Sequence, residues 1–251
     1  MIIDFSISGD LIVASHIAGI YDVNRNTILD NDDFAQIADW ARSITALGLQ
    51  GIIFHNNFSE ATCKLHQSEH LHFVKVDYNP LYNPNVFRYF IYAAFLKLYS
   101  HKIKNIFFTD ISDVIVLKNP FQEKLYQNNL NAIFCGDEPT ILDNDWMKEH
   151  SQHFRNKIPD YVAYETKYKN EILLNCGIMG GSISVMHPFI EELALIHQQY
   201  SADNKTAYTG DMGAFNYLIR TRYNSKVING YPVNTIFKNY SDDLNCWFKH
   251  K

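Results

Sequence analysis

The run Lys104-Asn105-Ile106-Phe107-Phe108-Thr109-Asp110-Ile111-Ser112-Asp113-Val114-Ile115-Val116 sets an apolar stretch against two carboxylates and then turns apolar again. A strand without polar alternation is buried on both faces, as in a parallel sheet covered by helices on each side. Carboxylates leaving the end of such a strand stand where open α/β sheets bind their ligands. The stretch therefore predicts a buried strand over 104–110 and a ligand edge at Asp110 and Asp113.

The same grammar extends outward. DLIVASHI (10–17) and GIIFHN (51–56) predict strands, and between them Phe34, Ile37, Ala38, Ala41, Ile44 and Leu47 recur at helical spacing. Asn31, Asp32 and Asp33 offer N-cap oxygens there and Gly48 a stop, so the opening predicts a β-α-β unit with a right-handed crossover. A third strand is expected over 72–77, followed by a helix from about 85 to 100 with Pro84 at its first turn. In that helix Val86, Tyr89, Phe90, Ala93 and Leu96 form the core stripe, with Arg88, Tyr92 and Tyr99 on the flanks. NAIFCGDE (131–138) repeats the buried strand ending in acids, Asp137 and Glu138. Residues 139–170 are polar and aromatic without clear periodicity, which suggests short helices and a loop lining a cleft. EILLNCGIMGGS (171–182) predicts a strand broken by Gly177, Gly180 and Gly181, then a helix opened by Pro188. A last helix is expected from Gly210-Asp211 to about 222, before an extended tail. The fold class expected is α/β, with a mostly parallel central sheet flanked by helices. No repeat or linker marks a boundary, so 1–251 is expected to be one domain.

Composition narrows the function. With 22 Lys plus Arg against 27 Asp plus Glu in 251 residues, the net charge is −5, and no basic cluster suits a nucleic-acid partner. The segment from Met1 is interrupted by Asp4 and Asp10 and has no basic flank, which fits neither a signal peptide nor a membrane span. A cytoplasmic location is the expectation, and peripheral membrane association stays open, through a partner, since no basic amphipathic helix stands out. Four scattered cysteines without a Cys-x-x-Cys pair are expected to be reduced thiols.

Hard divalent cations take oxygen ligands, often one or two carboxylates completed by substrate phosphate, and Asp110 with Asp113 suits that chemistry. The same pair also serves as an ordinary turn after a strand. Leu174 to Gly181 places an amide, Asn175, among three glycines where backbone approaches a ligand closely, or where the chain turns tightly. Asp211 stands near a helix N-terminus, where it either caps or binds. A haloacid-dehalogenase-type phosphatase would space its acids by two and follow them with a small hydroxyl residue; here the spacing is three and Val114 follows.

Taken in order, Asp110/Asp113, Asn175-x-Gly177 and Asp211 with Asn216 resemble the nucleotide-sugar glycosyltransferases of the GT-A fold, especially the glycogenin-like and galactosyltransferase-like groups. Those families carry an Asp-x-Asp motif, an Asn-x-Gly stretch, an Asp-Gln-x-x-x-Asn stretch and a late metal-binding His. The resemblance runs from about Leu11 to the end, with two departures: Ile111 occupies the place of the first acid, and Met212 replaces the Gln. It implies a Mn²⁺ or Mg²⁺ site at Asp110, Asp113 and His250, although a histidine one residue from the end is also a candidate frayed tail. It places the base and ribose at Ala14, Ser15, His16 and Tyr21, and the donor along Asp110, Asn175, Gly177 and Gly181. Arg88 would lie near the diphosphate or donor sugar, or else be a surface helix charge. Asp211 and Asp137 are the candidates for handling the acceptor proton or orienting the sugar. The activity implied is transfer of a hexose from a nucleotide sugar, a UDP-hexose, to a carbohydrate or glycolipid acceptor in bacterial surface polysaccharide or lipopolysaccharide synthesis. Two alternatives stay open: a non-catalytic nucleotide- or carbohydrate-binding protein on a decayed transferase fold, and a metal-dependent phosphatase or nucleotidyltransferase.

Overall fold

The computed structural model describes residues 5–22, 27–201, 210–239 and 243–251; Asp4, used above in reading the N-terminal segment, lies outside them. In chain order the elements are β1 (Gly9–His16), β2 (Tyr21–Asp22), β3 (Thr27–Ile28), α1 (Ala38–Ala46), β4 (Gln50–His55), α2 (Glu60–His66), β5 (Leu71–Lys75), α3 (Pro84–Tyr99), β6 (Ile103–Thr109) and β7 (Val114–Val116). There follow α4 (Lys124–Gln127), β8 (Ile133–Ile141), α5 (Asp145–His150), α6 (Gln152–Arg155), α7 (Tyr161–Tyr168), β9 (Ile172–Ser182), α8 (Ile183–Tyr200), α9 (Gly210–Leu218), β10 (Val227–Asn229) and β11 (Phe248–His250).

Seven strands form one sheet in the order β10-β8-β9-β6-β1-β4-β5. All neighbours run parallel except β9, which is antiparallel to both β6 and β8. The apolar runs explain this burial. Leu11, Val13, Ile52, Phe54, Ile106 and Phe108 point to one face, where α3 and α8 pack. Ile12, Ala14, Ile53 and Phe107 point to the other, against Trp40 and Ile44 of α1 and against Trp247 and Phe248. Each large side chain fully removed from water contributes about 1.5–3 kcal/mol, so both faces must be covered.

Local chemistry sets the helix ends. The Asp33 carboxylate accepts from the Ala35 N–H at 2.9 Å and starts the short turn Phe34–Ile37 that leads into α1. Gly48, at φ +62°, ends that helix in a conformation natural to glycine. Asn83 caps α3, with Pro84 at its first position as expected.

Three expectations are corrected. The stretch containing Gly177, Gly180 and Gly181 is one continuous strand, because β9 is paired on both sides. Gly180 is there to admit a neighbour: a Cβ on it would stand 2.3 Å from the Phe107 ring. Pro188 lies inside α8 rather than at its start. The buried face of Val185, Met186, Phe189, Ile190 and Leu193 outweighs the backbone hydrogen bond that proline forfeits. Finally, Arg88 and Tyr92, expected on the flanks of the core stripe, are buried on α3 with it.

The middle segment does form short helices, α5 to α7. All four cysteines are free, and among the described residues no helix is long and apolar enough to cross a membrane.

Candidate functional site

At its centre β9 changes partner. Met179 pairs with Cys135, but the next pair along β8 is Gly136 with Asn175, so three residues of β9 lie opposite a single step of β8. Those residues follow β6 instead: Thr109 pairs with Ile178, and the Asp110 N–H donates to the Gly177 carbonyl at 2.7 Å. Bulges of this kind re-aim side chains beside functional sites. Here Asn175 curls back so that its Oδ1 accepts from the Gly177 N–H at 2.7 Å, while its Nδ2 donates to Glu138 Oε1 at 2.9 Å.

Gly177 is the point on which the site converges. A Cβ built there would meet Asp110 Oδ2 at 2.6 Å, His250 Cε1 at 2.7 Å and Asn175 Oδ1 at 2.9 Å. Only a hydrogen side chain leaves this space open, at the edge where the parallel strands β6 and β8 end.

His250 reaches the site because the C-terminal tail is tied down. β11 pairs antiparallel with β7, the short strand after Asp113, setting His250 opposite Val114. The Lys251 N–H donates to the Asp113 carbonyl at 2.8 Å, and the His250 N–H to Thr235 Oγ1 at 3.1 Å. His250 is consequently buried rather than frayed. Burial pushes its imidazole pKa down, against the pull of Asp110 and Asp113, and its Nδ1 has no hydrogen-bond partner among the described residues. An imidazole and carboxylates are the donor types a Mn²⁺-type ion takes. Among the described residues no three His, Cys, Asp or Glu side chains stand close enough to hold an ion unaided. An ion here would need further oxygens from a bound phosphate, as Mg²⁺ sites commonly do.

Arg88 is not a surface charge. The residue is 5% exposed, and its guanidinium is directed to two carboxylates, Asp110 and, at 3.3 Å, Asp211 Oδ2. It also reaches Tyr89 Oη at 3.3 Å and Cys176 Sγ at 3.2 Å. Burial works against its charge, but these neighbours hold its pKa above the ordinary value. Arg88 thus holds Asp110 and Asp211 in place from the buried side chain of α3.

Asp211 lies in the first turn of α9 and is buried. Burial raises its pKa against the pull of Arg88, and its Oδ1 lacks a hydrogen-bond partner among the described residues. Asn216 holds α9 on β9, accepting from the Leu174 N–H at 3.0 Å and donating to the Leu174 carbonyl at 2.8 Å. Met212 turns its sulfur to the Cys176 backbone N–H at 3.5 Å.

The remaining expected residues divide. Ala14 is buried in register with Thr109, and Ser15 follows it against the Tyr92 hydroxyl. His16 is buried in a stack on Phe58, while Tyr21 is exposed on the β2–β3 ribbon. Ser15 thus comes beside Asp110, whereas the His16 ring faces the α1 side of the sheet. Asp137 turns toward β10, where its Oδ2 accepts from Asn229 Nδ2 at 2.9 Å. Gly181 is not brought to the site: it pairs with Ile106, and a Cβ on it would lie 2.6 Å from the Ala132 carbonyl oxygen. Glu138, a strand-ending acid by sequence, joins the site through Asn175, and burial raises its pKa. Cys176 also stands here, its Sγ 3.2 Å from the Arg88 guanidinium, although a lone cysteine between an Asn and a Gly carries no spacing signal.

No family model and no curated protein matches the chain. Among solved structures it is similar to a galactosyltransferase, LgtC, determined in complex with donor and acceptor sugar analogues. The TM-score is 0.53 at 15% sequence identity, covering 96% of this chain and 86% of that one. The seven-stranded, mostly parallel sheet with helices on both faces is therefore the GT-A glycosyltransferase fold.

Proposed function

We propose that the chain is a metal-dependent glycosyltransferase that moves a hexose from a nucleoside-diphosphate sugar, UDP-linked, to a carbohydrate or glycolipid acceptor. The observation that carries this reading is the convergence of Asp110 Oδ2, His250 Cε1 and Asn175 Oδ1 on Gly177 at the ligand edge of a GT-A sheet. Asp110 and His250, with Asp113 from the same turn, would hold Mn²⁺ or Mg²⁺. Such an ion neutralises charge developing on the leaving diphosphate.

The chain's own groups do the rest. Asp211, with one carboxylate oxygen anchored by Arg88 and the other unpartnered, accepts a hydroxyl of the donor sugar. Ser15, at the end of β1, lines the nucleoside side. If the transfer inverts configuration, Glu138, its carboxyl pKa raised by burial, joins Asp211 and Asp137 as a candidate to take the acceptor proton. The acceptor class, a surface polysaccharide or lipopolysaccharide, comes from the sequence resemblance alone.

Calorimetric titration of UDP with and without Mn²⁺, on the native protein and on Asp113→Ala, tests this. Binding that requires the ion and weakens at least about tenfold in the variant, a change of roughly 1.4 kcal/mol, supports it. Ion-independent binding refutes the metal role. Absence of UDP binding refutes the donor and turns attention to phosphatase substrates. Binding without turnover of any UDP-hexose assigns the chain to the non-catalytic alternative.

A further inference from the structure

Three segments of the chain deliver the residues proposed to hold the ion, and a single helix touches all three. Asp110 follows β6, Asp113 precedes β7 and His250 ends β11. β7 and β11 form a two-stranded ribbon of their own outside the seven-stranded sheet, and its register sets Asp113 and His250 at the same end. The ladder of the main sheet does not reach this ribbon, so its place beside Asp110 depends on other contacts.

α1 supplies them. Trp40 Nε1 donates to Thr109 Oγ1 at 2.7 Å, one residue before Asp110. Ser43 Oγ accepts from the Val116 N–H at 3.1 Å, in the strand that opens after Asp113. Asp39 pairs with Lys251 Nζ at 2.7 Å, one residue after His250. At i, i+1 and i+4 of one helix, the three residues occupy about a third of its circumference. None belongs to the stripe Ile37, Ala38, Ala41 and Ile44 that marks α1 in the sequence. Trp40 and Ser43 are nonetheless buried, and Ser43 Oγ also donates to the Trp40 carbonyl at 2.7 Å. An apolar residue at 43 would satisfy packing. A hydroxyl instead fixes one position of β7 along the helix, which apolar contact, having no direction, does not.

We propose that α1 is the outer frame of the ion site, with Trp40 and Ser43 as positioning residues that set Asp110, Asp113 and His250 against one another, and Asp39 as the outer tie on the C-terminal strand. This rests on the metal-dependent reading above and deepens it. Groups that orient metal ligands from outside change ion affinity by about ten- to a hundredfold, and these stand one step further out, so the lower figure applies.

The test titrates Mn²⁺ into the protein in the presence of UDP and reads binding from water-proton relaxation, which is enhanced when the ion tumbles with the protein. Ser43→Ala removes the contact to Val116, and Trp40→Phe removes the one to Thr109 while keeping a ring in place. Ile44→Val is the control, because it trims the buried apolar stripe of the same helix and lowers stability without touching a contact to the site. Ser43→Ala and Trp40→Phe are expected to bind Mn²⁺ on the order of tenfold more weakly, and Ile44→Val within about twofold of the native protein. Melting curves taken alongside show each protein folded at the titration temperature, and Ser43→Ala decides alone if Trp40→Phe does not fold. If Ser43→Ala matches the native protein within about twofold, the inference is wrong and the metal reading stands. An equal loss in Ile44→Val also overturns it, since affinity would then follow stability and not position. If the native protein binds no Mn²⁺, the metal reading fails and this inference with it.

Discussion

Gly177→Ala is the most exposing single change, because the structure states what one added methyl would meet. Its Cβ would stand 2.6 Å from Asp110 Oδ2, 2.7 Å from His250 Cε1 and 2.9 Å from Asn175 Oδ1. Each distance is below any ordinary contact, and none of the three groups retreats freely. Asp110 is held by Arg88, His250 by β11 pairing with β7, and Asn175 by Glu138. The strand itself cannot slide, since the Gly177 carbonyl accepts from the Asp110 N–H at 2.7 Å. Overpacking of this kind costs about 1–3 kcal/mol. At roughly 2–4 °C per kcal/mol for a chain of this size, the melting temperature should fall by about 2–12 °C. Gly136→Ala is the control: on the facing strand its Cβ would come no nearer than 3.4 Å to the Asn175 carbonyl oxygen and 3.5 Å to Asn175 Cβ. It should be neutral, or stabilising by up to about 1 kcal/mol through a less flexible unfolded chain. Thermal melts give the stabilities, and UDP titration with Mn²⁺ below the melting transition gives the site. The reasoning predicts that Gly177→Ala loses ion-dependent binding while folded and that Gly136→Ala keeps it. A folded Gly177→Ala protein with native stability and native ion-dependent binding would refute it.

Other consequences follow from the buried charges. Arg88→Met should destabilise the protein by about 3 kcal/mol in urea titration, because it leaves Asp211 and half-exposed Asp110 without their cation. Adding Asp211→Asn to that variant should recover part of the loss, and strictly additive losses would show that the ion network is not the cause. His197 is fully buried, stacked on Tyr89 at 5.2 Å, and burial lowers its pKa to about 3 from 6.5. The unfolded chain therefore binds the proton first, so stability present above about pH 6.5 is lost progressively as pH falls toward 3. His197→Phe keeps the stack and removes the proton site, and its stability should depend less on pH across that window in denaturant titrations. An unchanged pH slope would place the acid sensitivity elsewhere, for instance at His55, whose pKa burial lowers to about 4.

The sheet was legible in the sequence because burial on both faces demands unbroken apolar runs, and Ile106-Phe107-Phe108 and Ile52-Ile53-Phe54 cannot be accommodated otherwise. The helix starts near Asp33 and at Pro84 were equally plain, since caps and a first-turn proline are local signals. The order of Asp110, Asn175, Gly177, Asp211 and His250 along the chain pointed to one edge of that sheet. Their roles within it did not follow, because a role depends on what stands across a gap that spacing does not record. Arg88 is directed to Asp110 and Asp211 because α3 lies under β6 and α9, which no helical wheel reveals. Gly177 faces the site and Gly181 the Ala132 carbonyl, although both lie on one strand, because a bulge separates them. His250 is buried near Asp110 and not a loose end because β11 finds β7 more than a hundred residues away. Local pattern determines which segments must be covered; only long-range pairing, in which a hydrogen bond or an ion pair selects one partner among many, decides which side chains meet.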